Sequence, residues 1–262
     1  MTTVSCRAAT ADEIAFYKEH GWVKLDRLIS SEGAEELRTR MAGMMERSKE
    51  RFPDRALYKV LSFPSREDEV IAEFLYSPEM GRVASALIGR GRAGVQAVRL
   101  WSENALVKAP ASEQGTKTPW HQDQPYTPFD RQGGLTVWIA LNEVPPERGS
   151  MRFYSGSHKL GCIGRHELNV DGADALDEYP WIADEFSLSP PLHLYPGDAT
   201  VHDRTLLHAA PENSTDEPRW AYTASFFPAE TKYTGAPHKQ TDGLGLEVDK
   251  PFNHPNFPLV YP

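Results

Sequence analysis

Apolar residues change their spacing along this chain near residue 90. Before that point they recur at helical intervals. Leu37, Met41, Met44 and Met45 stand at i, i+4, i+7 and i+8, one face of a helix that Ser31 opens and that is expected to end before Pro53. A methionine stripe reads as core packing before it reads as a cofactor surface, because the unbranched thioether fills irregular gaps. Thr10 and Glu13 form a capping-box pattern ahead of Ile14, Phe16 and Tyr17, and Gly21 supplies a stop. Val23 and Leu25, with polar neighbours, predict a short strand. Ser65 with Asp68 marks another helix start, and Ser77-Pro78 caps one that runs towards Gly89.

After residue 90 the runs become short and β-rich: AVRLW (97–101), TVWIAL (136–141), MRFY (151–154), LHLY (192–195), ATVH (199–202) and AYTASFF (221–227), separated by Pro, Gly and Asn turns. Many short strands without alternating helices predict a mainly β sandwich or barrel, with the N-terminal helices buttressing one face. Residues 160–190 carry Gly, Asp and Glu with little periodicity, a length suited to a lid, a binding segment or a mobile loop. From 228 onward, prolines and few periodic positions predict a tail packed along the surface or disordered. The expectation is one unit over 1–262: a helical buttress at 1–90, a β core at 94–228 and an irregular tail at 229–262.

Composition narrows the partners. Against 28 Lys and Arg stand 37 Asp and Glu, a formal charge of −9 that repels nucleic-acid backbones and anionic lipid, so neither is expected as a partner. No apolar run reaches the ~20 residues that cross a bilayer, and MTTVSCRAATADE lacks the basic start and apolar middle of a secretion signal; a cytoplasmic location is expected. Cys6 and Cys162 are too few for a disulfide framework, and the oligomeric state is open.

The chemistry is concentrated in TPWHQDQPYTPF, residues 118–129. In a strand, side chains two apart share a face, so His121 and Asp123 can offer an imidazole nitrogen and a carboxylate oxygen to one point. A third donor is needed, and His202 and His208, six residues apart, both qualify. Two imidazoles and one carboxylate on a single face of an octahedral metal leave three positions open, an arrangement suited to non-haem iron(II) that takes up an organic ligand and dioxygen. Arg219 lies eleven residues beyond His208 at the head of RWAYTASFF. If buried, its planar fork requires an anion and fits a carboxylate.

Three blocks carry a resemblance: WHQDQPY, LTVWIALNEVPPERGSMRFYSGSHK and PGDATVHDRTLLHAAPENSTDEPR. Together they resemble the signature blocks of the phytanoyl-CoA dioxygenase family of iron(II)- and 2-oxoglutarate-dependent oxygenases, over roughly residues 94–228. The resemblance implies a double-stranded β-helix, a jelly roll of the cupin type. It implies iron ligands at His121, Asp123 and His208, a clamp for the distal carboxylate of 2-oxoglutarate at Arg219, and no metal bond for His202. It places Trp138 and Asn104 beside the cosubstrate, although a tryptophan in an apolar strand reads equally as core. The chain departs from the family in having Ala209-Ala210 where members often carry Gly-Ser, which removes a hydroxyl from the expected cosubstrate pocket. His158, in SGSHK, resembles part of a structural turn.

The activity so implied is oxidation of a small molecule by iron(II), 2-oxoglutarate and O2, with release of succinate and CO2. Hydroxylation, cyclisation, desaturation and epimerisation stay open, while the retained Asp123 argues against halogenation. Tyr126, Phe129, Trp120 and the 160–190 segment are candidates for the substrate wall or simply for core. No basic cluster near the site suggests a coenzyme A or phosphate handle, so a natural-product intermediate is expected as substrate. A non-oxidative cupin-type isomerase or hydrolase, or a binding module, is the competing reading; neither requires a cation at Arg219.

Overall fold

The computed structural model describes residues 4–47, 59–89, 96–113, 116–166 and 174–262. Four helices come first: α1 (Ala11–His20), α2 (Ser31–Arg47), α3 (Glu69–Leu75) and α4 (Pro78–Ile88), with strands β1 (Trp22–Leu25) and β2 (Lys59–Ser62) between them. The capping box forms: Glu13 N donates to Thr10 Oγ1 at 3.2 Å and Thr10 N to Glu13 Oε2 at 2.7 Å. Gly21 ends α1 at φ 77°, a conformation that would strain any side chain. Asp68 rather than Ser65 caps α3, because Ser65 lies in a separate 3-10 turn at Pro64–Arg66. Leu37, Met41 and Met44 are buried, so the methionine stripe is core. The expected end of this helix near Pro53 lies outside the described residues.

The remaining strands are β3 (Val98–Lys108), β4 (Thr118–His121), β5 (Leu135–Ala140), β6 (Arg152–Ser155), β7 (Ser187–Leu188), β8 (Ala199–Asp203), β9 (His208–Ala210), β10 (Arg219–Pro228) and β11 (Leu259–Tyr261), with short helices α5 (Ala175–Glu178) and α6 (Ile182–Glu185) before β7. They pair antiparallel in a larger sheet, β1-β8-β5-β10-β3-β11 with β2 also on β3, and a smaller one, β4-β9-β6-β7. This is the expected mainly β, cupin-like architecture buttressed by helices. Strand alternation separates two cores. Leu135, Val137 and Ile139 of β5, with Tyr222, Ala224 and Phe226 of β10, pack against the helices. Their alternates Trp138, Ala140 and Ala221 meet Phe153 and Ala210 of the smaller sheet.

In β3 the register against β10 jumps from Ser102 to Leu100, leaving Trp101 as an unpaired extra residue. Such a bulge re-aims a side chain. Here it turns Trp101 into an aromatic cluster with Phe129, Phe227, Tyr233, Phe252 and Phe257. Of the two expectations for the segment after 228 it is the packed one that holds, with two additions: its aromatics build a small core, and its last strand pairs with β3. Its aromatics follow no period, which hid them. LHLY is corrected. Only Leu194 forms a bridge, to Val144, because Pro190, Pro191 and Pro196 flank the run and cannot donate to a ladder. In the 160–190 segment, Ala175 and Ile182 pack with Tyr154 and Leu207, while residues 167–173 lie outside the described part.

Candidate active site

His121 is the last residue of β4 and His208 the first of β9, and the two are cross-strand partners. Their rings lie 4.2 Å apart, centroid to centroid. Each Nδ1 faces the backbone carbonyl two residues back, Pro119 O at 2.8 Å and Leu206 O at 2.9 Å. A carbonyl only accepts, so each Nδ1 carries the proton and each Nε2 keeps its lone pair for a metal. Asp123 Oδ1 lies 3.7 Å from His121 Nε2 and 3.8 Å from His208 Nε2. One donor atom from each of the three residues falls within 4.8 Å of the others.

Asp123 does not arrive by strand alternation, which corrects the expectation from spacing. β4 stops at His121, and Asp123 has helical backbone, φ −75° and ψ −31°, before a 3-10 turn at Gln124–Tyr126. Hydrogen bonds impose the convergence instead. Thr136 Oγ1 donates to Asp123 Oδ2 at 2.9 Å, and Arg204 Nη2 to Asp123 O at 3.2 Å. Gln122, buried between the two ligands, donates to Gly161 O at 2.8 Å and to Thr205 O, and accepts from Ile163 N at 2.9 Å. Sequence reading passed over Thr136, Arg204 and Gln122. A polar residue caught between two buried ligands was the signal available for Gln122.

The protonation states suit a metal. Burial lowers the His121 pKa, although the Asp123 charge opposes it, and burial together with the neighbouring imidazoles holds His208 well below its ordinary value, so both rings are neutral. Burial alone would raise the Asp123 pKa. The nearby His202 and His208 rings and the charge of Arg204 outweigh it and hold the carboxyl well below the usual range. His202, on β8, stands with Nε2 3.5 Å from Asp123 Oδ2 and its ring 4.2 Å from that of His208, outside the three-donor group. His158 sits in a 3-10 turn at Ser157–Leu160.

Arg219 opens β10 and is fully buried. Its guanidinium carbon lies 5.2 Å from the centre of the Trp138 ring, and Nη1 donates to Gly149 O. Its cross-strand partner is Lys108, also fully buried, whose Nζ donates to Pro211 O at 2.7 Å and Ala210 O at 3.3 Å. Burial, and then the charge of Arg219, push the lysine pKa well below its ordinary value. A positive potential of this kind suits a carboxylate.

A cleft of about 600 Å³ contains the three donors. Trp138 and Asn104 both line it, and Trp138 belongs to the inter-sheet core as well. Asn104 Oδ1 accepts from Ser62 Oγ at 2.9 Å. Of the aromatic candidates, Tyr126 lines the cleft; Trp120 packs on Tyr154 at 4.6 Å and Phe129 joins the cluster around Trp101. The tail contributes His238, Lys239 and Gln240 to the lining.

Known proteins share this arrangement of sheets. The non-heme alpha ketoglutarate dependent carbocyclase SnoK from nogalamycin biosynthesis is 25% identical and superposes with a TM-score of 0.79 over 96% of each chain. The epimerase SnoN, solved in complex with Fe3+, alpha ketoglutarate and nogalamycin RO, is 24% identical, with a TM-score of 0.77 over 95% of this chain and 97% of its own. The peroxisomal phytanoyl-CoA dioxygenase of Mus musculus is 23% identical over 270 residues, covering 94% of this chain and 76% of that protein. The model of one family matches residues 17–221, from within α1 to the third residue of β10, and so takes in every metal-ligand candidate and the buried arginine. On that extent, the chain belongs to the phytanoyl-CoA dioxygenase (PhyH) family.

Proposed function

We propose that His121, Asp123 and His208 hold iron(II), that Arg219 grips the distal carboxylate of 2-oxoglutarate, and that Trp138 and Asn104 border that cosubstrate. The protein is an iron(II)- and 2-oxoglutarate-dependent dioxygenase of small organic molecules. One observation carries the ligand assignment: both histidines engage a carbonyl through Nδ1 and so aim a neutral Nε2 at the carboxylate of Asp123. When bound, iron(II) with 2-oxoglutarate and O2 supplies the oxidising chemistry, with release of succinate and CO2. The chain supplies position and dryness. Thr136 fixes one Asp123 oxygen, so that Oδ1 is the one presented to the two histidines. Buried Arg219, on the strand beside β5, sets the reach of a dicarboxylate along the wall that Trp138 forms.

Residues 1–262 are read as one oxygenase domain, supported by the packing of the helices on the larger sheet and by the pairing of β11 with β3. SnoK and SnoN come from nogalamycin biosynthesis, which supports a natural-product intermediate as the substrate class here. No described helix is long and apolar enough to cross a membrane. Anaerobic titration with Fe(II) and 2-oxoglutarate tests the assignment. The weak visible metal-to-ligand charge-transfer band is the expected result, and admission of air should yield succinate. Absence of the band from protein shown to contain iron would favour a non-oxidative cupin-type enzyme. Mass spectrometry of candidate substrates, read for a gain of oxygen or a loss of two hydrogens, then identifies the reaction.

A further inference from the structure

We propose that the mouth of the cleft is built for a substrate that carries a carboxylate on a flat aromatic body, with Lys239 and Arg165 receiving the carboxylate. This deepens the oxygenase reading, on which it rests for the identity of the cleft floor.

The flat body is inferred from rings held in place before any ligand arrives. Phe63 has φ 56°, unusual for a bulky side chain, and the buried Glu103 maintains it. Phe63 N donates to Glu103 O at 3.0 Å, and Ser65 N to Glu103 Oε1 at 2.9 Å. Trp101 is aimed by the β3 bulge and braced by Phe257, stacked at 5.3 Å. The Tyr126 hydroxyl donates to His166 O, so this residue has its ring to offer the cleft. Fixed rings give contact area at low entropic cost.

The carboxylate is inferred from charge. Although the chain carries −9 overall, Asp123 is the one acidic residue lining the cleft among the described residues, and it belongs to the metal. Arg204 and Lys239 also line the cleft, and the Arg165 guanidinium carbon lies 5.2 Å from the centre of the Tyr126 ring. His238 lines the cleft too, and its Nδ1 accepts from Gln240 N at 3.0 Å. Burial and then the Lys239 charge lower its pKa, with Arg165 and Arg204 adding to the effect, so it is a neutral ring with its proton on Nε2. Asp242, the nearby acid, accepts from the backbone of His238 at 3.0 Å.

The floor needs neither Lys239 nor Arg165. Ferrous iron and Arg219 together balance Asp123 and the two carboxylates of 2-oxoglutarate. Lys239 and Arg165 are exposed, and among the described residues neither has an ion-pair partner. Positive charge at the rim of a low-dielectric cleft draws in an anion.

The test uses anaerobic protein loaded with Fe(II) and saturating 2-oxoglutarate, titrated with 2-naphthoate and separately with its neutral analogue 2-naphthamide. Binding is read from tryptophan fluorescence, and the charge-transfer band is recorded in the same samples. The wild-type protein should bind the acid about tenfold more tightly than the amide, with less advantage at high salt. In the Lys239→Gln/Arg165→Gln double variant the advantage should fall to about twofold or less, with the band unchanged. Equal affinities in the wild type would overturn the proposal, as would no binding of the acid at millimolar concentration or an undiminished preference in the double variant. Loss of the band on adding 2-naphthoate would place the acid in the cosubstrate's seat and overturn it equally. A band missing before any probe is added counts against the oxygenase reading instead, and the probe preference is then scored separately.

Discussion

At the floor of the cleft, His121 ends β4 and His208 begins β9, and Arg219, against the Trp138 ring that lines the cleft, begins β10, each tied into a ladder of backbone hydrogen bonds. At the mouth, Phe63, Tyr126, His238 and Lys239 stand on turns and on the segment after β10. The floor is buried and its side chains are braced by carbonyls and by Thr136. The mouth is half-open and is held by aromatic packing and by the anchor at Glu103. The difference separates what the reaction demands from what the substrate demands. Rigid strands hold reacting groups to a narrow geometry, whereas turns and tails can change shape and charge without disturbing that geometry.

The largest effect expected is at the floor. Asp123→Ala should reduce iron-dependent succinate formation by more than about 100-fold and abolish stoichiometric iron binding, read by metal analysis of the dialysed protein. Near-normal iron content would break the comparison at once. Arg219→Ala removes one partner of a buried charge pair, a loss of about 2–5 kcal/mol. The 2-oxoglutarate concentration needed to develop the charge-transfer band should rise at least tens-fold while iron affinity changes by about threefold or less, and equal losses would contradict the clamp.

Phe252→Ala probes the other end. It empties a fully buried position in the tail cluster and should cost about 3–5 kcal/mol in denaturant unfolding. Below the unfolding transition the charge-transfer titration should stay unchanged, because none of His121, Asp123, His208 and Arg219 belongs to that cluster. A co-varying loss of iron binding would show the two ends to be one unit. The smallest effect is in the pH dependence of the metal-free protein. Folded His121 and His208 hold a proton less readily than unfolded imidazoles, which titrate near 6.5. Unfolding therefore takes up protons as pH drops below that value, and the melting temperature should decline there. Asp123, with its pKa lowered, contributes a constant stabilisation across that range and adds to the decline only at more acidic pH, where its contribution is lost as it protonates. His208→Gln should flatten the decline, and an unchanged slope would argue against a neutral buried ring.

Legibility followed the same division. The capping box, the methionine face and strands β5, β8 and β10 were readable because each has a local cause in capping chemistry or in a period of 3.6 or 2. Strands β9 and β11 were missed, being three residues long, and β2 pairs only through its contact with β3. At the site, His121, Asp123 and His208 were legible as residues, but the strand argument for Asp123 was wrong: hydrogen bonds from Thr136 and Arg204 bring it round.

By itself the sequence determined the kinds of donor, their order and their spacing, since ligand chemistry belongs to the side chain and remains the same wherever the chain goes. It also determined which strands have two different faces. The tertiary structure alone decided that Asp123 turns back onto the histidines and that Lys108 lies beside Arg219. It alone brought Arg204 and Lys239 into one cleft lining and set Arg165 over the ring of Tyr126, although the sequence shows no basic cluster there. The physical reason is that fields and cavities add over space, so residues from distant turns sum at a point that no window of sequence contains.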